Sequence, residues 1–237
     1  MKFGTKALAI ANTREEKKYW FTEFAARNGM DNKSDYAAAL MLTHVDAAAR
    51  KKQAVINTQT GDNTPYTPVD RYTLSYAPTQ GFVIDVWSAL MTKIGVESES
   101  VVGLRNQLEY IQTSGQQVNW VTHSRGGAEF VQAASGSSAK ALNNNAVVFH
   151  AGANTMQTTN LMMKEKNIGD IINEKNRYRD APNDLVPQIV GLRSLSSPLN
   201  LVSALLSSLC LSDLFCTIEK SPHTLPYQWS SLKKDEK

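Results

Sequence analysis

Val118–Gly127 reads V-N-W-V-T-H-S-R-G-G, and this stretch decides the fold that we expect. A short apolar run ends at His123, a serine and two glycines follow it, and helix-compatible sequence begins at Ala128. This order predicts a buried parallel strand that turns sharply into a helix, with Ser124 on the turn. Gly126 and Gly127 leave room where the backbones of strand and helix come close together.

A serine on such a turn is a candidate nucleophile. The N-terminus of the following helix directs N–H groups, and the positive end of its dipole, toward charge that develops at the Ser124 oxygen. The stretch departs from the pattern G-x-S-x-G at its first position, where Thr122 replaces glycine, whereas Gly126 fills the second glycine position. From these five residues alone, an ordinary glycine-rich turn stays an open alternative.

The composition predicts one soluble globular domain. A chain of 237 residues can bury a substantial core in one α/β domain but is short for two. Apolar residues make up 42% and charged residues 20%, which is typical of a soluble protein. The formal net charge of +3 is spread along the chain, so we expect no nucleic-acid partner.

Neither the cysteines nor the N-terminus predicts a metal site or export through the Sec pathway. Cys210 and Cys216 have no nearby His or Cys to complete a metal site, and we expect two reduced thiols, with a local disulfide left open. The start, M-K-F-G-T-K-A-L-A-I-A-N, lacks the sustained apolar region of a Sec signal peptide. No run of about 18 apolar residues occurs, so we expect no membrane-spanning helix and synthesis in the cytoplasm.

Alternating strands and helices predict an α/β fold with a mostly parallel sheet flanked by helices. The predicted helices are Lys17–Asn28, Tyr36–Lys51, Phe82–Ile94, Val101–Thr113, Arg125–Ala134 and Leu161–Asn173. The predicted strands are Tyr72–Tyr76, Val118–Val121, Ala146–His150 and Asn176–Arg179.

A serine hydroxyl needs a base to take its proton and a third group to hold that base. On a strand-to-helix turn the partners follow in the chain order serine, acid, histidine. The segment Y-R-D-A-P-N-D-L-V-P offers two acids after the serine, Asp180 and Asp184. His223 is the one histidine of four that follows both acids, whereas His123 is adjacent to the serine and is expected to point away. We therefore expect His223 to be the general base.

Three motifs carry a resemblance to a known family. T-H-S-R-G-G, N-D-L-V-P-x-x-V-G and S-x-H-x-x-x-Y resemble the lipase and esterase branch of the α/β-hydrolase superfamily. More narrowly, S-Y-A-P-T-Q-G-F-V-I-D-V-W resembles a Tyr-Asn-Pro-Thr-x-Gly segment of bacterial effector and toxin lipases, with Ala77 in the place of asparagine. Such lipases include domains delivered by type VI secretion or attached to haemagglutinin-repeat proteins. The resemblance covers roughly Tyr72 to Tyr227.

The resemblance implies a catalytic domain at residues 71–237. Residues 1–70 lie outside the resemblance, and from their sequence we expect a helical N-terminal extension packed on the core, so that the chain forms one compact unit. Ser124 would be the nucleophile, Asp184 the orienting acid and His223 the base, with Asp180 as the alternative acid. The oxyanion would be held by the amide of Arg125 and by the loop of Gln80 and Gly81. No metal and no organic cofactor are implied.

The activity that this implies is serine carboxylic-ester hydrolysis on a lipid or other acyl ester, with contact to a membrane surface left open. A bacterial effector would leave the cell by a non-Sec route and would have an immunity protein as partner. Two alternatives stay open: a small-ester esterase or acyltransferase of the same fold, and a catalytically silent α/β-hydrolase used as a binding module. Residues 198–218 have apolar residues at helical spacing, which is typical both of a core helix and of a lid.

Overall fold

The computed structural model describes residues 21–29, 34–77 and 97–180, together with Asp184, Val186, Pro187 and Gly191. The strands of this part, in chain order, are β1 (Phe24–Arg27), β2 (Thr73–Ser75), β3 (Val118–His123), β4 (Asn145–His150), β5 (Gly169–Asp170) and β6 (Tyr178–Arg179). Its α-helices are α1 (Ser34–Thr60), α2 (Glu99–Ser114), α3 (Arg125–Ser135) and α4 (Met156–Lys166).

The strands form one parallel sheet, as the sequence predicts. Along the sheet the order is β2-β1-β3-β4, and β5 and β6 pair in succession with the outer edge of β4. All of these pairings are parallel, and His123 lies opposite His150 in the register of β3 and β4. The carboxyl ends of β1, β3 and β4 therefore meet at one edge, where ligands bind in open α/β sheets.

Helices cover both faces of the sheet, so the fold class is α/β with flanking helices. On one face, Val121 and Val148 pack against Met41 and Val45 of α1. On the other face, Trp120 packs with apolar side chains of α2, α3 and α4, which are Val101, Leu104, Leu108, Ile111, Phe130, Ala133, Ala134, Met162 and Met163. Since neighbouring residues of a strand point to opposite faces, the apolar run in β3 supplies both cores.

Most of the predicted elements that lie in the described residues are confirmed. The strand before Ser124, the helix after it and the strands of the predicted sheet are present, with β6 limited to its last two predicted residues. Helix α2 begins after Ser98, whose hydroxyl accepts from the amide of Val101 at 3.3 Å, and ends at Gly115 with φ 73°. Both ends match the preferred capping residues of helices.

The prediction of a helix at Lys17–Asn28 is wrong where it covers Phe24–Arg27, because those residues form β1. The sequence F-A-A-R has high helix propensity, and Ala25 and Ala26 are fully buried between helices on the two faces of the sheet. Tertiary burial therefore overrides local propensity here. β1 lies between β2 and β3, so one sheet takes strands from both sides of residue 70.

The predicted helix at Leu161–Asn173 is wrong in its second half. Helix α4 begins earlier, at Met156, and ends at Lys166, after which Asn167 takes φ 54° and β5 follows. An asparagine in this left-handed conformation is a common helix end. Helix α1 extends past the predicted end at Lys51 to Thr60.

Several predicted features lie outside the described residues: the helix at Phe82–Ile94, the apolar segment at residues 198–218, and both cysteines, Cys210 and Cys216. Among the helices that the structure describes, none combines the length and the apolar character needed to cross a bilayer.

Candidate active site

Ser124 has an unusual backbone conformation at the junction of β3 and α3. Its φ is 54° and its ψ is −125°, a region that residues with a side chain rarely adopt. The side chain has no exposed surface, and in the described part of the chain its Oγ has no hydrogen-bond partner. Such strain persists only where the surrounding structure over-determines it, and it concentrates at functional sites.

Backbone hydrogen bonds hold this turn against the end of β4. The amide of Ser124 donates to the carbonyl of His150 at 3.1 Å. The carbonyl of Ser124 accepts from the amides of Gly127 and Ala153, both at 3.0 Å. The strained serine is therefore fixed by its own helix on one side and by the loop after β4 on the other.

The glycines at the start of α3 are required by close approach rather than by torsion. A Cβ on Gly126 would lie 2.6 Å from the carbonyl oxygen of Arg27 and 2.7 Å from that of Asn28, at the end of β1. A Cβ on Gly127 would lie 2.7 Å from Asn154 Oδ1, in the loop after β4. Gly126 therefore makes room for neighbouring backbone, whereas the nearest atom at Gly127 belongs to a side chain.

A second loop, the one after β1, also touches Ser124, and the sequence did not predict this contact. A Cβ on Gly29 would lie only 2.6 Å from the Cβ of Ser124 and 2.7 Å from Nδ1 of His123. The Asn28 side chain fixes this loop, since its Nδ2 donates to the carbonyl of Ala77 at 2.8 Å and its Oδ1 accepts from the Ala77 amide at 2.6 Å. The Asn-Gly pair after a small apolar run was the sequence feature that could have indicated it.

The predicted oxyanion donors are only partly described. Arg125 is the first residue of α3, where a helix offers amides that have no acceptor within the helix. Gln80 and Gly81 lie outside the described residues, but the strand before them, β2, is separated from β3 by β1. Because β1 is the strand next to β3, the loop after β1 is closer to Ser124 in the sheet order than the loop after β2.

The two candidate acids follow β6, on the other side of β4 from the serine. Asp180 Oδ1 accepts from the amide of Gly152 at 3.2 Å and so braces the loop after β4. Asp184 is fully buried, and its Oδ1 accepts from the amide of Val186 at 3.0 Å. The third predicted partner, His223, lies outside the described residues.

A cluster of three buried imidazoles lies on the α1 face beside Ser124, and the sequence analysis did not predict it. The ring of His44, from α1, has its centroid 4.7 Å from that of His123 and 4.8 Å from that of His150. Burial lowers the pKa of His150 well below its ordinary value, and electrostatic repulsion from the neighbouring Arg179 and His123 lowers it further. His150 is therefore neutral at pH 7.

In the ranges that the structure describes, no three side chains among His, Cys, Asp and Glu are placed to hold a metal ion. Compared with known proteins, the chain matches no protein-family model, no curated protein and no solved structure.

What the site can do chemically is therefore judged from its geometry: a strained serine in front of a helix N-terminus, at the carboxyl edge of a parallel sheet. This geometry suits nucleophilic attack on a carbonyl whose oxygen then gains negative charge.

Proposed function

We propose that this protein is a serine carboxylic-ester hydrolase of the lipase or esterase kind, with Ser124 as its nucleophile. The observation that carries the proposal is the backbone conformation of Ser124, φ 54° and ψ −125°, between β3 and α3. Holding a serine in this conformation costs about 1–3 kcal/mol of stability, and strain of this size clusters at active sites. A nucleophile on a strained strand-to-helix turn is the feature that this chemistry uses.

In the proposed reaction, Ser124 Oγ attacks the ester carbonyl while His223 takes the hydroxyl proton. Asp184 fixes the tautomer of the imidazole and stabilises the imidazolium that forms. His223 then gives its proton to the leaving alcohol, and a water molecule repeats the sequence on the acyl-enzyme. Both carboxyl groups accept from a backbone amide, and Asp184 is preferred because it is fully buried and lies in N-D-L-V-P, one of the motifs that carry the resemblance.

The oxyanion of the tetrahedral intermediate is held, in this proposal, by two backbone amides. One is the amide of Arg125 at the start of α3. The second comes from the Asn28–Gly29 segment rather than from Gln80 and Gly81, because Gly29 lies against Ser124 and β1 is the strand next to β3. Losing one such donor typically lowers the rate by about 10²–10³-fold.

A second candidate function, a catalytically silent binding module of the same fold, is favoured by one observation. The Ser124 side chain has no exposed surface, so an ester has to displace neighbouring groups before it reaches Oγ. A silent module and a hydrolase differ in one measurable property, which is turnover of an ester.

The proposal is tested by hydrolysis of p-nitrophenyl esters of graded acyl chain length and of phospholipid vesicles. Wild type and Ser124→Ala are compared with Ser135→Ala, which alters an exposed serine at the far end of α3. We expect wild type and Ser135→Ala to turn over alike, and Ser124→Ala to lose about 10³-fold or more in kcat. A wild type that hydrolyses none of these esters would leave the binding module as the better account.

The finer predictions of the sequence resemblance stay predictions. Product analysis with added alcohol acceptors separates a hydrolase from an acyltransferase. The bacterial effector role, with delivery by type VI secretion and a cognate immunity protein, predicts that expression damages the membranes of a susceptible cell. Equal toxicity of wild type and Ser124→Ala would remove the enzymatic form of that role.

A further inference from the structure

A buried ion pair joins the end of β1 to α3. Arg27, the last residue of β1, donates to Glu129 Oε2 from Nε at 2.8 Å and from Nη2 at 2.6 Å. The Arg27 and Glu129 side chains are only 3% and 5% exposed. Burying two charges has a desolvation cost that their attraction often fails to exceed, so a pair of this kind is weak evidence for a role in stability.

The same guanidinium group also holds two further elements. Nη1 of Arg27 donates to the carbonyl of Ser75 at 3.1 Å and to its hydroxyl at 3.0 Å, at the end of β2. Nη2 donates to the hydroxyl of Ser100 and, at 3.3 Å, to its carbonyl, in the first turn of α2. The planar, forked geometry of arginine suits this set of acceptors, whereas a lysine would offer only one point charge.

Arg27 and Glu129 lie close to both proposed oxyanion donors, which are the amide of Arg125 and an amide of the Asn28–Gly29 segment. Arg27 immediately precedes Asn28 and Gly29, the segment in contact with Ser124. Glu129 lies one turn after Arg125 in α3, and its Oε1 is 3.2 Å from Nε of that arginine. The pair therefore links the end of β1, just before this loop, to the first turns of α3.

We propose that Arg27 and Glu129 are positioning residues, which hold the loop after β1 and the N-terminus of α3 at the separation that oxyanion binding requires. This inference rests on the proposed ester hydrolysis. Neither side chain touches the substrate in this role, and both act through backbone amides. Since a misplacement of about 1 Å can lower a rate by about 10²-fold, such a tether affects kcat more than substrate binding.

The test compares kcat, KM and melting temperature of the full chain for wild type and Glu129→Gln. The matched control is Glu109→Gln, because Glu109 holds the other end of α3 by accepting from Ser137 Oγ at 2.7 Å and from the amide of Ser138 at 2.8 Å. We expect Glu129→Gln to lower kcat by about ten- to a hundredfold with little change in KM. Glu109→Gln should lower the melting temperature but leave kcat near the wild-type value.

A triple variant, Arg27→Met, Arg125→Met and Glu129→Leu, keeps the test decisive if Glu129→Gln folds poorly. It also replaces Arg125, because that buried side chain lies 3.2 Å from Glu129 and would otherwise be left as an unpaired charge. Replacing all members of a buried ionic group by apolar side chains of similar volume is often neutral or stabilising, so this variant should fold and melt cooperatively. We expect the same ten- to hundredfold loss in kcat and in the rate of labelling by a fluorophosphonate.

The outcomes separate this inference from the proposed function. An active wild type together with a folded triple variant of wild-type kcat would overturn the positioning role while leaving Ser124 as nucleophile. A wild type with neither ester turnover nor labelling would overturn the proposed function, and the positioning role with it.

Discussion

Ser124 is the residue where local backbone preference and global structure disagree. Its φ of 54° is favourable for glycine but not for serine, and the turn is held by hydrogen bonds to β4 and the loop after it. If a turn were all that this position needed, glycine would serve better. The serine therefore has a cost in stability, which agrees with its proposed role as a reacting side chain.

Ser124→Gly should be more stable than Ser124→Ala, because alanine keeps the strained torsion and glycine relieves it. We expect a difference in the free energy of unfolding of about 1 kcal/mol or more, measured by urea denaturation. Both variants should lack esterase activity. Equal stability of the two would show that the torsion stores no strain.

The start of α3 should be equally sensitive to a single methyl group. A Cβ on Gly126 would collide with the carbonyl oxygens of Arg27 and Asn28, which are backbone atoms and cannot turn away. We expect Gly126→Ala to lower the free energy of unfolding by about 1–3 kcal/mol and to reduce ester turnover.

The control for Gly126→Ala is Gly103→Ala in the first half of α2, where an added Cβ meets no atom within 4 Å. There alanine should stabilise the helix by up to about 1 kcal/mol and leave turnover unchanged. Similar stability changes in the two variants would mean that the close approach to β1 is not what requires glycine at 126.

At the scale of elements, α1 is joined to the sheet edge beside the serine by the three buried histidines. His44 of α1 packs against His123 of β3 and His150 of β4, and Arg179 of β6 faces His150 from the neighbouring strand. Protonating His150 places a new buried charge next to that of Arg179. The contact between α1 and the sheet should therefore weaken in acid.

Stability should fall as pH drops below about 6.5, the ordinary pKa of histidine. Burial and nearby positive charge lower the pKa of His150 in the folded chain, so the unfolded chain takes up the proton first. The stability that the neutral His150 contributes is complete above pH 6.5. It is lost as the pH falls toward the pKa of His150 in the folded chain. For one histidine, the slope reaches about 1.4 kcal/mol per pH unit.

Urea denaturation between pH 5 and 7 measures this slope for wild type and His150→Leu, which keeps the other two rings. The carboxyl of Glu109 titrates below this pH range and does not disturb the comparison. Burial raises its pKa, but the hydrogen bonds from Ser137 and Ser138 together have the larger effect and hold the pKa below its ordinary value of 4.5. We expect a shallower slope in His150→Leu. An identical slope in both proteins would contradict a buried neutral His150.

How much of these elements the sequence could predict depends on the range of the interactions that form them. β3 and α3 were predictable because apolar residues, the serine and both glycines are contiguous. β1 was not, since its two alanines favour a helix locally and become a strand only when both faces are covered. The meeting of His44 with His150 depends on contacts across more than 100 residues, which no local pattern reports.

On the scale of the whole molecule, one parallel sheet brings separate segments of the chain to a single edge. The loop after β1, the serine after β3 and the loop after β4 are contiguous in the fold but come from residues near 28, 124 and 152. The acids after β6 follow on the next strand. The sheet therefore accounts for the convergence of the nucleophile with its proposed amide donors, which sequence order alone predicted only for Arg125.

The most direct test is to treat the folded full-length chain with a fluorophosphonate and to locate the adduct by peptide mass spectrometry. The account predicts one adduct, on Ser124, in wild type and equally in Ser135→Ala, and none in Ser124→Ala. An unmodified wild type, or an adduct on a different serine, would contradict the assignment of Ser124 as an activated nucleophile.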